Sequence, residues 1–136
     1  MRFVVAVPAR LDSARLPGKV MADIGGRPML QWVLERCALA RKPQAVVLCA
    51  DSPSLVEVAE GWGFPALLTS PDCSSGSERL ASALDALVGF AGGEPGSALA
   101  DTVIVNVQGD QPFIDPAVID AMVEAFEHSR PVPEVL

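Results

Sequence analysis

The sequence predicts an α/β fold: an open, mostly parallel sheet with helices on both faces. Three observations predict it. Short apolar runs rich in β-branched residues, such as Phe3–Val7 and Thr102–Val107, have the composition of strands buried on both sides. These runs alternate with segments of helical period. Helix-start signals fall between them, at Ser52-Pro53 and Asp115-Pro116, each an N-cap side chain followed by proline in the first turn.

Taken in order, strands are expected at Phe3–Val7, Ala45–Ala50, Ala66–Thr69 and Thr102–Val107. Helices are expected at Pro28–Arg41, Pro53–Gly61, Ser77–Phe90 and Pro116–His128. Met29, Leu30, Val33, Leu34 and Cys37 form the apolar stripe of the first helix; Leu80, Leu84, Leu87 and Val88 form that of the third. Val118, Ile119, Met122, Val123 and Phe126 do the same for the last. Ser77 is the expected N-cap of the third helix, and His128 suits the C-terminal dipole of the fourth. Gly92-Gly93-Glu94-Pro95-Gly96 has the composition of a surface loop.

A chain of 136 residues, half of them hydrophobic, fits one domain with a real core. The formal charge of −7 argues against general affinity for a nucleic-acid backbone, which needs a broad basic surface. No apolar stretch is long enough to span a bilayer, and no convincing signal-peptide cleavage site follows Arg10. The three cysteines, Cys37, Cys49 and Cys73, lack CxxC spacing, which disfavours a disulfide framework or a structural zinc site and suits a reducing cytoplasm. Cys37 and Cys49 read as core thiols and Cys73 as an unreactive loop thiol open to exposure. Trp32 and Trp62 read as packing residues.

In sheets of this kind ligands bind beyond the carboxyl ends of the strands. The connection Pro8–Arg27, 20 residues long, leaves the first strand there, and connections of that length tend to be functional. It carries Arg10, Arg15 and Lys19 against the single anion Asp12, a local positive charge in an acidic chain. Such a cluster holds β- and γ-phosphates and offsets the charge on a departing pyrophosphate. It is not a P-loop: position 13 is Ser where that motif needs Gly, and Val20 stands in place of the metal-binding hydroxyl. No GxGxxG follows the strand.

Gln108-Gly109-Asp110 ends the last strand, and a carboxylate there can hold Mg²⁺ between phosphates. Ser74-Ser75-Gly76-Ser77-Glu78-Arg79 opens the third helix with backbone N–H groups free for an anion or a base edge. Arg79 in the first turn opposes the helix dipole, so it reads as facing a ligand. Asp51 stands where it could touch a nucleoside, but Asp51-Ser52-Pro53 also works as a helix entry and is read as structural.

Together, Pro8-Ala9-Arg10, Arg15-Leu16-Pro17-Gly18-Lys19, Ser75-Gly76-Ser77-Glu78-Arg79 and Val105-Asn106-Val107-Gln108-Gly109-Asp110-Gln111-Pro112 resemble the 3-deoxy-manno-octulosonate cytidylyltransferases, the CMP-Kdo synthetases of lipopolysaccharide assembly. The resemblance implies a Rossmann-like nucleotidyltransferase fold, with CTP and Kdo as substrates and Mg²⁺ as cofactor. The 2-hydroxyl of Kdo would attack the α-phosphate of CTP, giving CMP-Kdo and pyrophosphate. On that resemblance Arg15, Lys19 and Asp110 are the catalytic residues, with Asp110 the metal ligand. Pro8, Ala9, Arg10, Ser13, Ser75, Gly76, Arg79 and Gln108 bind substrate: Arg10 at the triphosphate, Ser75, Gly76 and Arg79 at the cytidine, Gln108 at the sugar.

The family's members are nearly twice as long and are expected to be homodimers, so residues 1–136 resemble the N-terminal half of such an enzyme, a single nucleotide-binding α/β domain. Gln111 stands where the family usually has Glu, Ser77 where it has Thr, and Cys73 where His is common. Two other readings remain open. One is a related sugar nucleotidyltransferase, such as a CMP-sialate synthetase; the other is a truncated, inactive CTP-binding remnant.

Overall fold

β1 (Arg2–Ala9) is the centre of the molecule, with Phe3 to Ala9 all buried. Successive side chains of a strand point to opposite faces, so an unbroken apolar run needs cover on both sides. It has that cover. Phe3, Val5, Val7 and Ala9 enter one core, while Val4 and Ala6 enter the other. The computed structural model describes residues 2–11, 19–70, 72–73, 75–90, 102–109 and 111–128, except the side chains of residues 19, 77 and 128.

Among the described residues three further parallel strands join β1 in the sheet: β4 (Ala45–Ala50), β5 (Ala66–Leu68) and β6 (Thr102–Asn106), in the order β5-β4-β1-β6. Val5 lies between Val46 on β4 and Val105 on β6. The larger core packs α1 (Met29–Ala38), α2 (Pro53–Gly61) and α5 (Pro116–His128) on one face. Phe126 meets Phe3 edge to face there, ring centroids 6.2 Å apart. The smaller core packs Leu80 of α3 (Gly76–Ser82) and Leu87 of α4 (Leu84–Phe90) against Val4, Ala6, Val47 and Cys49. Parallel strands with helices on both faces are the predicted architecture.

The structure departs from the sequence reading in four places. The long connection after β1 contains a 3₁₀ turn at Lys19–Met21 and a small hairpin, β2 (Asp23–Ile24) with β3 (Arg27–Pro28). The hairpin turns on Gly25 and Gly26, both at positive φ (60° and 95°), which glycine accepts without a steric penalty. Trp32 Nε1 donates to the Ile24 carbonyl at 2.6 Å, and the Arg27 guanidinium lies 5.0 Å from the Trp32 ring centre. Trp32 is therefore a packing residue that fastens the hairpin to α1.

The expected third helix is two helices, α3 and α4, meeting at Ala83. Ser82 Oγ donates to the Arg79 carbonyl at 2.7 Å, and the Ala83 N–H turns to Leu80 instead. A hydroxyl that takes up a helix carbonyl bends or breaks the helix locally. The N-cap of α3 is Ser75, whose Oγ accepts from Glu78 N at 3.1 Å, and not Ser77. Cys73, read as a loop thiol open to exposure, is buried.

The other start signals hold. Ser52 Oγ accepts from Ser54 N at 3.3 Å, and Asp115 Oδ1 accepts from Ala117 N at 2.9 Å. The Gly92–Gly96 loop and the His128 side chain lie outside the described residues.

Candidate active site

β4 flanks β1 on one side and β6 on the other, so the winding of the chain reverses at β1. That reversal opens a crevice at the carboxyl ends of β1 and β6. Pro8 and Ala9 end β1 on its rim, followed by exposed Arg10. Across from them Val107 N donates to the Ala6 carbonyl at 3.1 Å and Gly109 N to the Pro8 carbonyl at 3.3 Å, extending the pairing past β6.

Three of the residues singled out in the sequence meet here. A Cβ built on Gly76 would stand 3.0 Å from Pro8 Cγ and 3.0 Å from both Nε2 and Oε1 of Gln108. The start of α3, the end of β1 and the turn after β6 therefore close on one point, and only glycine fits it without displacing a neighbour. Gly109 is similarly confined: its Cβ would come 3.1 Å from the Pro8 carbonyl oxygen and 3.6 Å from Val20 Cγ1. Val20 is buried in the larger core, so it brings the backbone of the Lys19–Met21 turn, where the basic loop ends, against the Gln108-Gly109 turn.

The turn after β6 is built by its own side chains. Gln111 Oε1 accepts from Gln108 N at 3.1 Å, while Gln111 N donates to the Gln108 carbonyl at 3.2 Å. A glutamate at 111 would offer the same acceptor, so the glutamine keeps the turn and removes only a charge. Gln108 Nε2 donates to Asn106 Oδ1 at 3.0 Å, which directs its amide along the strand end.

Arg79 is only 1 % exposed. Its Nη1 donates to Thr69 Oγ1 at 2.6 Å and to the Ser70 carbonyl at 2.9 Å, and its Nη2 has no hydrogen-bond partner among the described residues. It lies three residues after Gly76 on α3, hence on a neighbouring part of the same helix face. Cys49, on the adjacent strand β4, is pushed up to about 11 by burial, with the Arg79 cation pulling the other way.

Asp51, read in the sequence as part of a helix entry, also has a longer-range role. Its Oδ1 accepts from Leu11 N at 3.1 Å, so the carboxyl end of β4 holds the start of the basic loop. Ser13, Arg15 and Asp110 lie outside the described residues, as does the Lys19 side chain. Among the described residues no three His, Cys, Asp or Glu side chains form a metal-binding group. Mg²⁺ bound with a triphosphate needs only one or two protein carboxylates, because phosphate oxygens supply other ligands.

An open parallel sheet with its switch point between β1 and β6 defines a doubly wound α/β domain, whose ligands bind beyond the carboxyl ends of the strands. The chain belongs to the cytidylyltransferase family, whose model matches residues 4–132. It is 43% identical over 119 residues to the 3-deoxy-manno-octulosonate cytidylyltransferase of Vibrio campbellii, a match covering 88% of this chain and 43% of that protein. To the enzyme of the same name from Pseudomonas fluorescens it is 48% identical over 120 residues, covering 87% and 42%. An 8-amino-3,8-dideoxy-manno-octulosonate cytidylyltransferase of Shewanella sediminis is 38% identical over 127 residues, covering 93% and 48%. The chain thus spans about half the length of these relatives. Among solved structures, a CMP:2-keto-3-deoxy-manno-octonic acid synthetase complexed with CTP superposes with a TM-score of 0.80 at 29% identity, over 98% of this chain and 50% of that one.

Proposed function

We propose that this chain is the CTP-binding part of a 3-deoxy-manno-octulosonate cytidylyltransferase that makes CMP-Kdo for lipopolysaccharide. The observation that carries this reading is the meeting of Pro8, Gly76 and Gln108 at the switch-point crevice, in a chain matched by the cytidylyltransferase family over residues 4–132. Relatives named 3-deoxy-manno-octulosonate cytidylyltransferase share 40% to 48% identity with the chain, against 38% for those named for the 8-amino sugar, which supports Kdo as the acceptor.

In this reading the rim residues Pro8 and Ala9, with Ser75, Gly76 and Arg79, receive the cytidine. Arg10, Ser13, Arg15 and Lys19 hold the triphosphate. The Kdo 2-hydroxyl oxygen gives up its proton to solvent and forms a bond to the α-phosphorus as the bond to the β-phosphate bridging oxygen breaks, and pyrophosphate leaves. Arg15 and Lys19 neutralise charge on that leaving group, and Gln108 orients the sugar. Asp110 would hold Mg²⁺, which when bound draws electron density from the phosphate oxygens. The protein's contribution is position and fixed charge more than covalent chemistry.

Three free thiols suit a cytoplasmic setting, and among the described residues no helix is long and apolar enough to cross a membrane. A full-length relative is read as a homodimer.

The test is the unfolding midpoint of the 136-residue chain with and without Mg²⁺–CTP. A ligand bound only by the folded state raises it by mass action. The expected result is a rise larger with CTP than with ATP and lost in Arg15→Ala and Asp110→Ala. A folded chain whose midpoint CTP leaves unmoved would overturn the reading. Kdo-dependent pyrophosphate release by the full-length protein, compared with 8-amino-Kdo, then tests the acceptor.

A further inference from the structure

The Arg79 guanidinium is buried, yet half of its fork is unmet among the described residues. A buried charged N–H without an acceptor is costly, so a structure that keeps one is holding it for a partner or for a water. What fixes the fork is a neighbouring hydroxyl. Thr69 is 8 % exposed, and its Oγ1 donates its only proton to the Ala50 carbonyl at 3.1 Å. Thr69 N donates to the same carbonyl at 2.7 Å. With its proton committed, Oγ1 can only accept, and Arg79 Nη1, which can only donate, lies 2.6 Å away. The Ala50 carbonyl at the end of β4 thus sets the polarity of Thr69, and Thr69 sets the rotation of the guanidinium.

We propose that Thr69 is a positioning residue for nucleotide binding: it holds Arg79 by Nη1 so that Nη2 stays available to an acceptor on the nucleotide. This rests on the placement of Arg79 at the cytidine under the proposed function. Without the Thr69 hydroxyl, the guanidinium is free to rotate and satisfy itself on the Ser70 carbonyl, which Nη1 already contacts at 2.9 Å. The charge would remain, but its orientation would not.

The experiment compares wild type, Thr69→Val, Thr69→Ser and Arg79→Lys in the 136-residue chain, measuring Mg²⁺–CTP affinity and the unliganded unfolding midpoint separately. Thr69→Val is expected to weaken CTP about tenfold, the scale of one charge-assisted hydrogen bond. Thr69→Ser keeps the hydroxyl and is expected to stay within about twofold of wild type. In the Arg79→Lys background, Thr69→Val should cost no further affinity, whereas a merely structural Thr69 would act additively.

A Thr69→Val chain that binds CTP like wild type, with only its midpoint lowered, overturns the proposal while leaving Arg79 at the nucleotide. An Arg79→Lys chain with undiminished affinity overturns the placement of Arg79 itself, and the proposal with it. Should Thr69→Val fail to fold, the Arg79 side-chain resonances of the wild-type chain decide. A shift on adding CTP that Thr69→Ser reproduces supports the proposal, and resonances that CTP leaves in place overturn it.

Discussion

Asp51 Oδ1 and the backbone N–H of Leu11 are joined by a 3.1 Å hydrogen bond across 40 positions of sequence. The carboxylate at the end of β4 thereby fixes where the basic loop leaves β1. Asp51→Ala should lower stability by about 1–2 kcal/mol, the scale of a hydrogen bond to a charged group that is only half buried. Mg²⁺–CTP should also bind more weakly, because the residues just after Arg10 lose their tether. Asp51→Asn keeps an acceptor and should recover most of both losses. Chemical denaturation and CTP titration of the two variants make the check; equal CTP affinity in wild type and Asp51→Ala would refute the tether.

Gly76→Ala places a methyl group where Pro8 and Gln108 already stand at 3.0 Å. The Gln108 amide can swing away, but Pro8 belongs to the central strand and has little freedom. The substitution should therefore cost about 1–3 kcal/mol through overpacking and reduce CTP binding more than stability alone accounts for. A crystal structure of the variant should show Gln108 parted from Asn106. A Gly76→Ala chain with unchanged CTP affinity would remove this point from the site.

Burial raises the Cys37 thiol from the ordinary 9.0 to about 12, and Cys49 to about 11. A raised folded-state value means the fold favours the neutral thiol. This stabilisation is whole below about pH 9 and is lost as the pH climbs through the folded-state values, because the unfolded chain ionises first. Unfolding midpoints should fall as the pH rises past 9. The slope should be shallower in Cys37→Ala, and parallel slopes in the two chains would contradict it.

Asp115 caps α5 through its bond to Ala117 N. Asp115→Ala should cost about 1 kcal/mol, and Asp115→Ser should restore most of it. Because α5 carries Ile119, Val123 and Phe126 into the larger core, the loss should appear as global unfolding, measurable by chemical denaturation, rather than as fraying of one end.

The sheet and helices were legible because burial on both faces writes itself locally. Phe3–Val7 can satisfy neither a half-exposed strand nor a loop, and the Ser-Pro and Asp-Pro pairs mark helix starts by chemistry that acts within a few residues. The β2–β3 hairpin left a signal, Gly25-Gly26 between short flanks, that the long connection around it, which has no strand-like alternation, obscured. The break at Ala83 left almost none, since it depends on a serine hydroxyl reaching a carbonyl three residues back. In the site, Pro8, Gly76 and Gln108 were each recognisable by motif, but Thr69 carried no pattern and Asp51 only that of a helix entry. Their partners, Arg79 and Leu11, lie 10 and 40 positions away.

The sequence by itself determined the fold class, the direction of the sheet and the end of it where chemistry belongs, because periodicity, caps and strand composition act through near neighbours. Only the tertiary structure decided that Gly76 closes against Pro8 and Gln108, that Gln111 builds its own turn, and that one threonine orients a buried arginine. Those are contacts between distant segments, and their geometry exists only after the sheet has assembled and brought the carboxyl ends of β1, β4 and β6 side by side.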